Sequence, residues 1–164
     1  MVSIAVVVLF AACDISSRQL PGARSTTVHG VPVVYSIASV ELMASQHGEF
    51  ALGAVSYGRW RCSVWIRQDV LARPRTLTRV IAHEVGHCLD WFALDYSHNG
   101  FTNEGCAYGQ GWCPPAEGYA ETWARLYLSR CGYDLAPLGW GTDRAKCLMP
   151  LPHEATPDAV LALP

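Results

Sequence analysis

His83-Glu84-Val85-Gly86-His87 places two imidazoles four residues apart, with a carboxylate directly after the first. On a helix of about 3.6 residues per turn both rings fall on one face, about 6 Å apart along the axis, where they can grip one tetrahedral Zn²⁺. Glu84 falls on the flank of that face. From there its carboxylate can take a proton from a zinc-bound water instead of occupying the metal. A random chain of this length would carry the pattern roughly once in a few hundred, so coincidence is a poor account of it.

The residues around the motif predict a largely buried helix. Pro74, Thr76 and Thr78 supply an N-terminal signal, and Leu77, Val80, Ile81, Val85, Leu89 and Phe92 follow at helical spacing. Three polar residues inside such a helix each need a partner, because an unpaired buried polar group costs about 1–3 kcal/mol. A metal with its water satisfies His83, Glu84 and His87 together. The bland alternative is a pair of core histidines satisfied by other side chains.

A catalytic zinc takes a further protein ligand, and the sequence just past His87 does not offer one. Asp90 stands where the metzincin pattern has Gly, and Ala93 where it has a third His. The ligand is expected from a second helix, opened by Pro114-Pro115, running through Glu117, Tyr119, Glu121, Trp123, Leu126 and Leu128, and stopped at Gly132. Glu117 and Glu121 share a face of it. One can bind metal while the other orients a ligand histidine, although acidic residues at a helix N-terminus are also common for their favourable interaction with the helix dipole. Asp90, one turn beyond His87, can hydrogen-bond a ligand or the nearby chain.

His83-Glu84-Val85-Gly86-His87-Cys88-Leu89-Asp90, then Tyr108-Gly109, then Glu117-Gly118-Tyr119-Ala120-Glu121, resembles the catalytic domain of the anthrax lethal factor and Pro-Pro endopeptidase family, a gluzincin-like group of zincin metallopeptidases. The resemblance covers roughly residues 50–130. It implies that Glu117 is the third zinc ligand, that Tyr108 stabilises the oxyanion, and that Glu121 acts from behind a ligand. It also implies that the run Arg61 to Arg67 is the edge strand against which an extended peptide pairs. Gly118 stands where the family carries a bulky aromatic, and Cys106 and Cys113 bracket Tyr108. Tyr96, Tyr119 and His98 are rival hydrogen-bond donors to a tetrahedral intermediate.

These residues need a scaffold, and the pattern predicts a single α+β domain over residues 28–150 with a small mixed sheet, the motif helix and the second ligand-bearing helix. Val31 to Ser36 reads as a strand and Ser39 to His47 as a capped helix. Ala51 to Tyr57 and Arg61 to Arg67 read as a hairpin across Gly58-Arg59-Trp60. Residues 14–27 read as a linker without periodicity, and residues 151–164 as a loosely held tail. At 164 residues and 51% hydrophobic, the chain suffices for one core and is too short for two.

Val2 to Ala12 is an apolar run of signal-peptide length that ends before Cys13, and Phe10-Ala11-Ala12-Cys13 is similar to a bacterial lipobox; a buried first strand is the alternative. If Cys13 carries lipid, six cysteines remain, an even number that suits disulfides and an oxidising compartment. Proximity favours Cys106 with Cys113 and Cys131 with Cys147, which leaves Cys62 with Cys88. A Cys-based zinc site lacks a Cys-x-x-Cys pair, while free buried thiols in a cytosolic enzyme remain the competing reading. A net charge of −2 with no Lys/Arg run argues against nucleic acid.

Taken together, the chain is expected to be a secreted or lipid-anchored zinc metalloendopeptidase at the bacterial cell envelope, acting as a monomer on protein or peptide. Two alternatives are a non-catalytic, surface-anchored binding module of zincin fold and an intracellular zincin that cleaves a regulator.

Overall fold

Alternating burial builds the sheet. In the computed structural model, which describes residues 24–103, 113–140 and 147–162, four strands form: β1 (Arg24–Val28), β2 (Val31–Ala38), β3 (Gly53–Tyr57) and β4 (Cys62–Arg67). Cys62, Val64 and Ile66 point into the main core while Ser63, Trp65 and Arg67 face the other way, as the two-residue period of a strand requires. The order is β1-β2-β4-β3, with β1/β2 and β3/β4 antiparallel and β2/β4 parallel. The architecture is α+β with a small mixed sheet, as expected.

Two positions differ from the sequence reading. β4 lies between β2 and β3, so the run Arg61 to Arg67 is a central strand and β3 is the edge beside the motif helix. A parallel β2/β4 pair needs a crossover, and the chain uses helix α1 (Val40–His47) and β3 to make it, which places β3 outside. The domain also begins earlier than Val28. Arg24 to Thr27, expected as linker, pair with β2 through a two-residue turn in which His29 and Gly30 both take positive φ.

Helix α2 (Pro74–Ala93) lies on one face of the sheet and buries Leu77, Val80, Ile81, Val85 and Leu89. The threonines near its start do not cap it. Thr78 Oγ1 instead donates back to the Pro74 carbonyl at 3.0 Å. On the other face Met43 of α1 packs with Ala38, Ala54 and Trp65. Helix α3 (Pro115–Cys131) stops at Gly132, whose N–H bonds the Leu128 carbonyl, and packs chiefly on α2. Disulfides join Cys62 of β4 to Cys88 of α2, and Cys131 of α3 to Cys147. Cys113 is also disulfide-bonded; Cys106, expected as its partner, lies outside the described residues, as does Cys13.

The expected tail is part of the fold. Trp123 Nε1 donates to the Pro150 carbonyl and Tyr119 Oη to that of Pro152, Arg130 forms a two-pronged pair with Glu154 at 2.7 and 2.8 Å, and Ala155 is fully buried. Helix α4 (Pro157–Leu161) follows. Aromatic side chains of α3 needed polar partners, and the segment from 150 onward supplies the carbonyls.

Candidate metal centre

The closeness of α2 and α3 is set by two small residues. A Cβ on Gly86 would sit 2.8 Å from Ala120 Cα and 3.1 Å from its carbonyl oxygen. Gly86 lies between the two histidines, and Ala120 lies one turn beyond Glu117, so this contact brings the three side chains together. Glu117 Oε2 is 3.0 Å from His83 Nε2, and Glu117 Oε1 is 3.3 Å from His87 Nε2. One ligand atom from each of His83, His87 and Glu117 lies within 4.8 Å of the others. Bonds of about 2.0–2.2 Å in a tetrahedral shell imply ligand atoms about 3.4 Å apart, so this donor set can hold a metal ion with little rearrangement.

Glu121 occupies the position behind His83 that the shared helix face implies. Its buried carboxylate lies 3.5 Å from His83 Nδ1 and takes hydrogen bonds from Arg79 at 2.7 Å and Arg125 at 2.8 Å. Asp90 does not support a ligand histidine. Fully buried, it binds the backbone N–H of His98 at 2.8 Å and the His98 ring at 2.6 Å. Its side chain points past the end of the motif toward the following loop, so it secures that loop instead.

Electrostatics follow from this packing. Burial would lower the His83 pKa, but hydrogen bonds to Glu117 and Glu121 outweigh it and push the imidazole up to about 10. The same contacts, with His83 first and His87 second, hold Glu117 far below the usual carboxylate range. Burial works against the Glu121 charge too, yet His83, Arg125 and Arg79 pull it down to about 2. A metal taking Nε2 of His83 therefore displaces a proton. Glu84 behaves oppositely: burial, aided by the Glu117 charge, raises its pKa against the pull of both histidines.

Glu84 has room only because of a residue the sequence reading passed over. A Cβ on Gly53 of β3 would come 2.6 Å from Glu84 Oε1. Gly53 reads as an ordinary strand-start glycine until the tertiary contact is seen. Tyr57, at the far end of β3, was also missed; it stacks on Trp91 at 4.4 Å and lines the cleft beside Glu84, where burial first, Tyr96 second and then the nearby carboxylates raise its pKa.

The rival electrophiles separate. Tyr108 lies outside the described residues. Tyr119 is fully buried with its hydroxyl on the Pro152 carbonyl, so it packs. His98 is engaged by Asp90. Tyr96 lines the cleft with the two histidines, Glu84 and Glu117; it takes positive φ, as do Asp95, His98 and Asn99, and its N–H is tied to the Asp90 carbonyl at 2.8 Å. Left-handed backbone at four non-glycine positions in one short loop is held where Asp90 grips the loop at Tyr96 and His98 through three hydrogen bonds. The cleft has a volume of about 1270 Å³ and lies between β3 and α3, with α2 as its floor.

Comparison with protein-family models, with curated proteins and with solved structures finds no match to this chain.

Proposed function

We propose that this chain is an exported zinc metalloendopeptidase of the zincin type, with His83, His87 and Glu117 holding the zinc. The observation that carries the reading is the convergence of these side chains, from two helices, with a buried fourth residue, Glu84, beside them. When bound, zinc lowers the pKa of water to about 7 and polarises the substrate carbonyl.

Glu84 takes the proton of the attacking water and later delivers it to the leaving amine. Its buried setting, which raises its proton affinity, suits that role. Glu121 fixes the orientation of His83 through Nδ1, and its two arginines keep it ionised. Tyr108 is the family-implied donor to the oxyanion, and Tyr96 and Tyr57 line the same cleft. An extended peptide pairs with β3, the exposed edge beside Glu84. The Cys62–Cys88 and Cys131–Cys147 disulfides suit an oxidising environment and so support export.

The test is metal content and peptide-library cleavage by the wild-type protein beside Glu84→Gln. One zinc per chain is expected in both, with turnover at least about 10²-fold lower in the variant. Full turnover by Glu84→Gln, or a wild-type protein that binds no zinc, refutes the proposal. Zinc retained with no cleavage of any peptide would instead favour a binding module.

A further inference from the structure

Charge is distributed unevenly along the cleft. Arg75, Arg79, His83 and His87 follow at four-residue intervals on α2, so they form one stripe, cationic at its start and metal-binding at its end. On α3 the stripe Glu117, Glu121, Arg125 changes character in the same spatial direction, and Arg79 and Arg125 meet on Glu121. All three arginines line the cleft. Away from the metal centre, the one carboxylate among the described lining residues is that of Glu121, and it is already engaged by Arg79, Arg125 and His83. Arg75 is exposed and lies over the Tyr133 ring at 5.4 Å, with no carboxylate partner among the described residues. Arg79 remains 58% exposed despite its bond to Glu121.

We infer that this end of the cleft is a carboxylate subsite, in which Arg75 and Arg79 select peptides that carry an acidic group at a fixed distance from the bond that is cut. The inference rests on the peptidase reading. Helical rise puts Arg79 about 6 Å and Arg75 about 12 Å from His83 along the axis of α2. An extended peptide advances about 3.3 Å per residue, so the acidic group lies about two to four residues from the scissile bond. Guanidinium groups suit this task, since their planar forks match a carboxylate with two parallel hydrogen bonds. The carboxylate is either an Asp or Glu side chain or the C-terminus of a short peptide.

Two measurements test this. In cleavage profiling with free and C-terminally amidated peptide libraries, Asp and Glu are expected to be enriched at one position two to four residues from the cut. Arg75→Glu is expected to move that preference to Lys and Arg. Loss of cleavage on amidation, with cuts at a fixed distance from the chain end, assigns the C-terminus as the source. In equilibrium binding to zinc-loaded Glu84→Gln, a Glu-containing decapeptide is expected to bind about tenfold more tightly than its Gln counterpart, and added Arg75→Gln to remove most of that difference. Cleavage without acidic preference overturns the subsite and leaves the peptidase standing. If no peptide is cleaved the peptidase reading fails, and equal binding of the two decapeptides then overturns the subsite independently.

Discussion

Replacing Gly86 with alanine sets two opposing effects against each other, and the geometry decides the sign. Alanine in a helix interior is worth about 1 kcal/mol over glycine, so an open site would gain stability. Here the new methyl would meet the Ala120 backbone at 2.8 Å, and carbon atoms rest at about 3.5–4.0 Å, so α2 and α3 must part by about 0.7 Å. Overpacking of this kind costs about 1–3 kcal/mol, which cancels or exceeds the helical gain. The metal site is less tolerant than the core, because its bond lengths hold within about 0.2 Å. A shift of that size moves Glu117 away from both histidines at once.

Gly86→Ala is therefore expected to weaken zinc binding by about 10–100-fold while lowering the unfolding midpoint of the metal-free protein only slightly. Gly86→Val should do worse on both counts. Zinc affinity is read by competition with a chromogenic chelator, and stability by thermal circular dichroism. A Gly86→Ala protein that melts higher and binds zinc within twofold of wild type would refute the claim that this contact sets the ligand geometry.

Removing the Cys62–Cys88 bridge by the double alanine substitution frees a loop of 26 residues, and chain entropy puts the loss at about 3.5 kcal/mol; denaturant unfolding should show it, and a loss under about 1 kcal/mol would speak against the bridge as a fold-wide restraint. Acid should act partly through Glu154. Hydrogen bonds from Arg130 and from the Leu151 N–H depress its pKa from 4.5 to about 2. Between these values the unfolded chain binds the extra proton, so the contribution is present above about pH 4.5 and fades as pH falls toward 2. Glu154→Gln should flatten the decline of melting temperature over that window; an unchanged slope would remove the ion pair from the account.

What could be read from sequence was whatever repeats locally. The motif helix, the Pro-Pro start and Gly132 stop of α3, and the β3/β4 hairpin all carry short-range signals, and the Cys62–Cys88 and Cys131–Cys147 pairs followed from proximity and elimination. The assignments that failed depend on distant partners. Nothing between Arg61 and Arg67 says that β2 will claim its free side, and nothing in Arg24 to Thr27 marks a strand until β2 lies beside it. The end of the chain looked loose because its anchors, Tyr119, Trp123 and Arg130, belong to another helix. Gly53 and Gly86 were invisible for the same reason: each matters for what its missing side chain allows, which is Glu84 in one case and Ala120 in the other. For Asp90 the sequence left two partners open, a ligand or the nearby chain, and the structure places it on the nearby chain at His98.

The fastening of Asp90 to His98 makes the two jaws of the cleft unequal. The loop bearing Tyr96 is clamped to α2, and α2 is bolted covalently to β4 through Cys88, so floor, rim and sheet are fastened to one another. Beside them α3 is held by packing on α2 at Gly86, by side-chain bonds and, at its last residue, by the Cys131–Cys147 bridge. Any guest that shifts α3 would shift Glu117 with it, because α3 carries that side chain. Under the peptidase proposal, girth of the guest and grip on a bound ion would thereby be coupled through one helix.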